Sequence, residues 1–118
     1  MGDARDDTCL FCRIVAGEIP SEKLHETETI LAFRDIDPQA PTHVLLIPKT
    51  HVRDLTEVTD GHGDVLADLM QAAAHLAATE GLDDGWRLVA NVGPAAGQSV
   101  LHLHFHLLGG RTLAWPPG

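Results

Sequence analysis

The stretch SVLHLHFHLLGG, residues 99–110, places three histidines at every second position, each followed by an apolar residue. Because side chains of an extended strand alternate between its two faces, His102, His104 and His106 are predicted to share one face, and the intervening apolar residues the other. At about 3.3 Å per residue, neighbouring imidazoles would be rooted roughly 6.6 Å apart, close enough to share a phosphate-sized ligand or a metal ion. The alternative interpretation is that the strand is half exposed and that the histidines are simply the polar residues of its solvent-facing side.

The length and the charge of the chain limit the functions that this histidine surface could have. The chain has 118 residues, which is typical of a single domain spanning residues 1–118, and its 17 acidic and 8 basic residues give a formal charge of −9. This charge would repel a nucleic-acid backbone or an anionic membrane. No apolar run reaches the roughly 20 residues of a membrane span, and the start MGDARDD lacks the features of a signal peptide. We expect a cytoplasmic protein with no nucleic-acid or membrane partner, and flexible residues 1–7.

Hydrophobic periodicity and turn residues predict an α+β fold in which strands outnumber helices. Residues 8–20, TCLFCRIVAGEIP, predict a short helix with Thr8 as its N-cap. A long helix is predicted from about Gly63 to Thr79, with His75 on its surface. Strands are predicted around residues 23–26, 29–36, 43–48, 86–91 and 99–108.

Two further motifs carry possible chemistry. Cys9 and Cys12 form a C-x-x-C pair, which suits a redox couple, two metal ligands or two buried small residues. A tetrahedral zinc site would need two more ligands, and the chain offers eight histidines. The loop GPAAGQSV, residues 93–100, fits either a plain hairpin loop or a set of backbone amides that cradles an anion, although it lacks the Walker lysine.

Residues 101–111, LHLHFHLLGGR, contain the H-φ-H-φ-H-φ-φ signature, where φ is apolar, and resemble the histidine triad (HIT) family, in particular its Hint branch. The stretch LAFRDIDPQAPTHVLLIPKTH, residues 31–51, and the closing WPPG resemble the corresponding Hint segments, so the likeness runs from about Thr8 to Gly118. The resemblance implies a HIT-like fold, with a five-stranded antiparallel sheet, a short N-terminal helix and one long helix.

The activity that the resemblance implies is cleavage of the P–N bond in purine nucleoside 5′-phosphoramidates. His104 would be the nucleophile that forms a nucleotidyl-histidine, while a backbone carbonyl holds the hydrogen on its other ring nitrogen. His106, Gln98, Ser99 and the loop amides would bind phosphate oxygens, with Ser99 beside the departing atom. Gly97 would let the backbone come close to the phosphate.

The same resemblance assigns the nucleoside end of the site. Asp35 would accept the ribose hydroxyls, and Asn91 would lie on the phosphate side. Arg34 stands where the family often has histidine, so the choice between adenine and guanine stays open. The purine slot would be formed by apolar side chains that a simpler interpretation assigns to the core. These are Leu10, Phe11, Ile14, Phe33, Ile36 and Leu45.

The cysteines resemble those of a subset of bacterial Hint-like members that bind zinc. The implied ligands are Cys9, Cys12, His51 and His102, a closed set of four that makes the zinc structural and leaves His104 free. No organic cofactor is expected.

The resemblance also implies a homodimer, in which the C-terminal tail, residues 112–118, places Trp115 near the partner's site. Two other functions remain as alternatives. One is a nucleotide-sensing module with negligible turnover, and the other is a metal-dependent hydrolase whose three triad histidines hold the metal.

Overall fold

Five antiparallel strands form one sheet in the order β1-β2-β3-β5-β4, in a computed structural model that describes residues 6–118. The strands are β1 (Lys23–Glu26), β2 (Ile30–Arg34), β3 (Thr42–Pro48), β4 (Trp86–Val89) and β5 (Phe105–Gly109), and the helices are α1 (Leu10–Val15) and α2 (Gly63–Thr79). The predicted fold class is therefore confirmed. Strand β5, which carries the last triad histidine, lies inside the sheet between β3 and β4.

The sheet separates two apolar clusters. Helix α2 covers one face, where Leu69 and Leu76 pack with Val44 and Leu46 of β3. Helix α1 covers part of the other face, where the cluster includes Phe11, Ile14, Phe33, Leu45 and Ile47. Because β3 alternates between these two clusters, both of its faces are buried, as its unbroken apolar run VLLIP requires.

The histidine segment is less regular than predicted. Strand β5 begins at Phe105, not near Ser99, because its ladder with β3 ends at the pair Leu46–Phe105, just before Pro48, which has no N–H to donate. The alternation of side chains nevertheless continues outside the strand. Leu103, Phe105 and Leu107 lie in the α2 cluster, whereas the rings of His102 and His104 lie against Phe11 of α1.

Helix α2 has the predicted bounds, but the predicted start of α1 is wrong. Its N-cap is Cys9, whose Sγ accepts the Cys12 N–H at 3.3 Å. Thr8 instead donates its backbone N–H and its hydroxyl to Asp6 Oδ1, at 2.8 and 2.6 Å. Helix α1 ends before Gly17, whose φ of +79° suits glycine.

Strands β2 and β4 end earlier than predicted, at Arg34 and Val89. The expected flexible segment, residues 1–7, lies mostly outside the described residues, which begin at Asp6. Among residues 6–118, neither helix is long and apolar enough to cross a membrane.

Candidate functional site

Four side chains from distant parts of the chain meet behind the histidine segment. Cys9 and Cys12 come from the start of α1, His51 follows β3, and His102 precedes β5. The Nδ1 atom of His102 lies 3.3 Å from Cys9 Sγ, 3.6 Å from Cys12 Sγ and 3.3 Å from His51 Nδ1. Cys12 Sγ lies 3.4 Å from His51 Nδ1. These four residues, hereafter the Cys₂His₂ cluster, are the set that the resemblance implied.

The spacing of these atoms fits a tetrahedral metal ion. With Zn–S bonds of about 2.3 Å and Zn–N bonds of about 2.0–2.1 Å, tetrahedral geometry separates sulfur from nitrogen by about 3.5 Å and nitrogen from nitrogen by about 3.4 Å. The distances in the Cys₂His₂ cluster, from 3.3 to 3.6 Å, agree with both values. The cluster could therefore hold one metal ion with little rearrangement.

The surroundings of His102 support this fit. Its Nε2 donates to the Pro48 carbonyl at 2.8 Å, so the neutral ring presents the Nδ1 lone pair to the two sulfurs. A backbone carbonyl on the far nitrogen is the usual partner of a metal-binding histidine. Burial raises the pKa of the Cys12 thiol and lowers that of His102 to about 4. A metal ion would displace the thiol protons, as thiolate ligation requires.

His104 lies one step further along the same face. Its Nδ1 is 2.7 Å from the carbonyl oxygen of His102, which can only accept, so Nδ1 carries the hydrogen. Burial lowers the pKa of His104, which favours the neutral ring. A neutral imidazole with its hydrogen on Nδ1 has its lone pair on Nε2. This ring lines a cavity on the α1 face, and its tautomer is the one that the resemblance implied for a nucleophile.

His106 is positioned by a residue that the sequence analysis did not single out. The backbone N–H of Gln39 donates to His43 Nδ1 at 3.0 Å, so neutral His43 carries its hydrogen on Nε2. That nitrogen lies 2.9 Å from His106 Nδ1 and 3.4 Å from Asp35 Oδ2. His106 therefore accepts at Nδ1 and keeps a hydrogen on Nε2 for donation elsewhere.

The charge state of these two rings agrees with this arrangement. Burial is the main cause that lowers the pKa of His106, to about 4, and the neighbouring histidines add to it. Burial also lowers the pKa of His43. At neutral pH both imidazoles are uncharged, so each donates through one nitrogen and accepts through the other.

A cavity of about 300 Å³ opens in front of His104 and His106. Its lining includes most of the residues predicted for nucleotide binding. They are Leu10, Phe11, Ile14, Phe33, Asp35, Ile36, Leu45, Ser99, His104 and His106. Ile36 stands at the rim with 99% of its surface exposed, so it lies outside the buried part of the slot. Within the described chain, the Ser99 hydroxyl has no protein partner and is available to a ligand.

Two further residues of the cavity wall, Ser21 and Arg34, had no predicted contact with a ligand. The Ser21 hydroxyl is buried without a hydrogen-bond partner in the described chain, and no sequence pattern signals this. Arg34 lines the cavity, but its guanidinium pairs with Glu80, at 2.8 and 3.1 Å, and with Glu22 at 2.9 Å. The cation is thus neutralised by its own chain, which argues against a direct role in reading the base.

Four other predicted residues do not line this cavity. Gln98 is buried and supports the loop, since its side-chain oxygen accepts from Gly93 N and its amide donates to the carbonyls of Arg53 and Val100. Gly97 has a φ of +91°, a conformation that favours glycine. Its close approach to a phosphate stays a prediction. Asn91 is half-buried, and Trp115 is 83% exposed on the tail.

The loop before Ser99 uses most of its own amides. The N–H groups of Gly93, Ala96, Gly97 and Gln98 all donate to acceptors within residues 93–98. The predicted anion cradle is therefore wrong for these four groups, because a compact turn already satisfies them. Ser99, at the end of the loop, lines the cavity.

The triad histidines do not converge on a common metal position. Among residues 6–118, two groups bring three or more ligand atoms within 4.8 Å of one another: the Cys₂His₂ cluster, and Asp35 with His43 and His106. His102 turns Nδ1 to the cysteines, whereas His104 turns Nδ1 to a carbonyl. The hypothesis of a metal held by all three triad histidines is not supported by this geometry.

Fold and site together define a class: a one-sheet α+β domain in which alternating histidines line a nucleotide-sized cavity. Residues 16–113 match the family described as HIT domain, and the chain belongs to this family. The resemblance stated from the sequence is thereby confirmed.

Relatives and solved structures give the same result. The chain is 49% identical over 115 residues to the 14 kDa zinc-binding protein of Zea mays, covering 96% of this chain and 90% of the relative. It is 48% identical over 117 residues to adenylylsulfatase HINT1 of Arabidopsis thaliana, covering 96% and 78%. The crystal structure of a HIT family hydrolase from Legionella pneumophila superposes with a TM-score of 0.91 at 53% identity, covering 93% of this chain and 99% of that one.

Proposed function

We propose that this protein is a nucleotide hydrolase that cleaves the P–N bond of purine nucleoside 5′-phosphoramidates through a covalent nucleotidyl intermediate on His104. The observation that carries the proposal is the 2.7 Å hydrogen bond from His104 Nδ1 to the His102 carbonyl, in a ring that lines the cavity. The bond leaves Nε2 with its lone pair, and it also stabilises the positive charge that the ring acquires when Nε2 attacks.

The residues that line the cavity favour one orientation of a bound nucleotide. The purine would lie between the apolar side chains of Phe11, Phe33 and Leu45, and the Asp35 carboxylate would accept the ribose hydroxyls. The α-phosphate would then lie beside Ser99 and the two histidines. A volume of about 300 Å³ is at the lower limit for small-molecule pockets, which suits a mononucleotide whose leaving group extends into solvent.

The reaction follows from the donors and acceptors present. His104 Nε2 forms a bond to phosphorus while the P–N bond to the amine breaks, and the departing nitrogen takes the Ser99 hydroxyl proton, which solvent replaces. His106 Nε2–H would stabilise the phosphoryl oxygens. Water then attacks phosphorus and releases one proton to solvent while the bond to His104 breaks. The nucleoside monophosphate leaves with the neutral ring restored.

One comparison favours a second substrate. The Arabidopsis relative is named an adenylylsulfatase, so its name specifies an adenylyl group with sulfate, not an amine, as the leaving group. The same nucleophile and ribose contacts would serve both substrates. A sensing module that binds nucleotides with negligible turnover is the outcome that would contradict either hydrolase.

Replacing His104 with alanine should abolish turnover of an adenosine phosphoramidate, because no other group offers a lone pair at that position. AMP affinity should stay within about tenfold, since the ribose and base contacts are unchanged. His106→Ala should cost about 10²–10³ in kcat, as loss of one donor to a developing charge does. His75→Ala, on the exposed side of α2, is the control and should retain wild-type kinetics. Substantial activity in His104→Ala would contradict the mechanism.

The Cys₂His₂ cluster is proposed to bind one zinc ion that ties α1 to the histidine segment. The support is the donor set, the tetrahedral spacing and a relative named a zinc-binding protein. Bound zinc would supply cross-linking, while all four ligands come from the chain and exclude water from the metal.

Elemental analysis of protein purified under reducing, chelator-free conditions should give one zinc per chain. Cys12→Ser should lower the metal content and the thermal midpoint, because metal binding to the folded state stabilises it. His75→Ala should keep its metal. Less than about a tenth of an equivalent in the wild type would return the cysteines to the role of buried thiols.

A homodimer is proposed from the family and from exposed aromatic residues. Trp86 on the edge strand β4 is 41% exposed and Trp115 on the tail 83%, and burial against a second copy would remove both from water. Light scattering at micromolar concentration should give twice the monomer mass, and a monomer would contradict the proposal. The cytoplasmic location stays a prediction from the sequence.

A further inference from the structure

Two contacts connect the Cys₂His₂ cluster to His104. The first is the backbone of His102, whose side chain belongs to the cluster and whose carbonyl accepts the His104 Nδ1 hydrogen at 2.7 Å. The second is Phe11, which lies between Cys9 and Cys12 on α1. Its ring packs edge-on against His104 at 5.1 Å and against His102 at 5.9 Å between centroids. The Cys₂His₂ cluster is thus connected to His104 by the His102 carbonyl and by the Phe11 ring.

Both connections lie in segments that regular secondary structure stabilises only weakly. Residues 99–104 lie outside the sheet, so His102 is anchored by the Pro48 carbonyl, by the bond from Leu103 N to the Val52 carbonyl, and by the cluster. Helix α1 has only six residues, far fewer than the 12–15 that an isolated helix needs to be even marginally stable. Its place depends on side-chain packing and on Cys9 and Cys12.

The side chains of the cluster have few other interactions. Within the described chain, the His51 imidazole lies within hydrogen-bond distance of Cys12 and His102, and Cys9 Sγ accepts the Cys12 N–H. Cys12 Sγ also accepts the backbone N–H of Asp6, at 3.4 Å. Without a metal ion, the two sulfurs and two imidazole nitrogens lose the partner that they would share. His102 and α1 would then be free to shift, and the His104 hydrogen bond would lengthen with them.

We infer that metal occupancy of the Cys₂His₂ cluster controls catalysis by fixing His104 as its Nδ1–H tautomer, with His102 as the positioning residue. The effect on turnover rests on the proposed function, whereas the effect on the tautomer does not. An ion that only cross-linked the fold would change stability alone. An ion that acts through His102 also determines which nitrogen of His104 carries the hydrogen, and therefore whether Nε2 can attack.

The test compares metal-loaded protein with protein from which a chelator has removed the metal, and with the His51→Ala variant. No hydrogen bond or ring contact joins His51 to His104 in the described structure. Because His51 contacts Cys12 and His102, its loss reaches His104 through the cluster. Nitrogen-15 NMR of labelled histidines should show a single Nδ1–H tautomer of His104 in the loaded protein and a mixture of tautomers in the other two. The value of kcat should fall about 10–100-fold, the range seen when groups around a metal site are altered, and AMP affinity should change less than about threefold. Adding Zn²⁺ back to the chelated wild type should restore both.

Leu69→Ala is the matched control, since Leu69 is buried under α2 on the opposite face of the sheet. It should lower the thermal midpoint while leaving the His104 tautomer and kcat unchanged. The inference is overturned if metal-free protein keeps the single tautomer, or if Leu69→Ala loses kcat in proportion to its stability. Circular dichroism and AMP binding show that each variant is folded. If no phosphoramidate is hydrolysed even by loaded protein, the proposed function fails, and the NMR comparison still decides the inference.

Discussion

The hydrogen bond between His104 Nδ1 and the His102 carbonyl determines the chemistry available to the cavity. An imidazole is a nucleophile only at its unprotonated nitrogen, and an acceptor-only partner on Nδ1 leaves that role to Nε2. The carbonyl has this position because His102 is buried and turned to the cysteines. The location of α1, the path of the chain after β3 and the direction of residues 99–104 all contribute to this single contact.

A second set of contacts prepares the neighbouring imidazole for a different role. The N–H of Gln39, the ring of His43 and the ring of His106 form a chain in which each donor meets one acceptor. His106 is left with a donor on Nε2, whereas His104 is left with an acceptor. Two identical side chains, two residues apart, thus acquire opposite roles from their backbone and side-chain partners. Asp35 contacts this chain through His43, so the proposed ribose and phosphate ends of the cavity share one network.

Much of this arrangement was predictable from the sequence because it depends on alternation and composition. The two-residue period of residues 102–107 predicted that the histidines and the apolar residues lie on opposite faces, and the pattern of α2 predicted its bounds. The predicted zinc ligands came from resemblance to a family, since spacing alone left the cysteines with three possible roles. The end of the β5 ladder was missed, because it depends on Pro48 of another strand. The role of Gln98 was misjudged because loop hydrogen bonds depend on a fold that periodicity does not describe. His43 had a visible signal, a histidine inside an apolar strand, but its partner His106 is 63 positions away.

The central claim is that His104 Nε2 forms a covalent bond to phosphorus, and trapping that bond tests it most directly. Wild-type protein would be mixed with an adenosine phosphoramidate, quenched within milliseconds under alkaline denaturing conditions that preserve phosphohistidine-type bonds, and analysed by intact mass and peptide mapping. The account predicts a transient mass increase of one adenylyl group, located on the peptide that contains His104 and on that residue. An adduct on His102 or His106, or turnover with no adduct at any time in the first cycle, would contradict it.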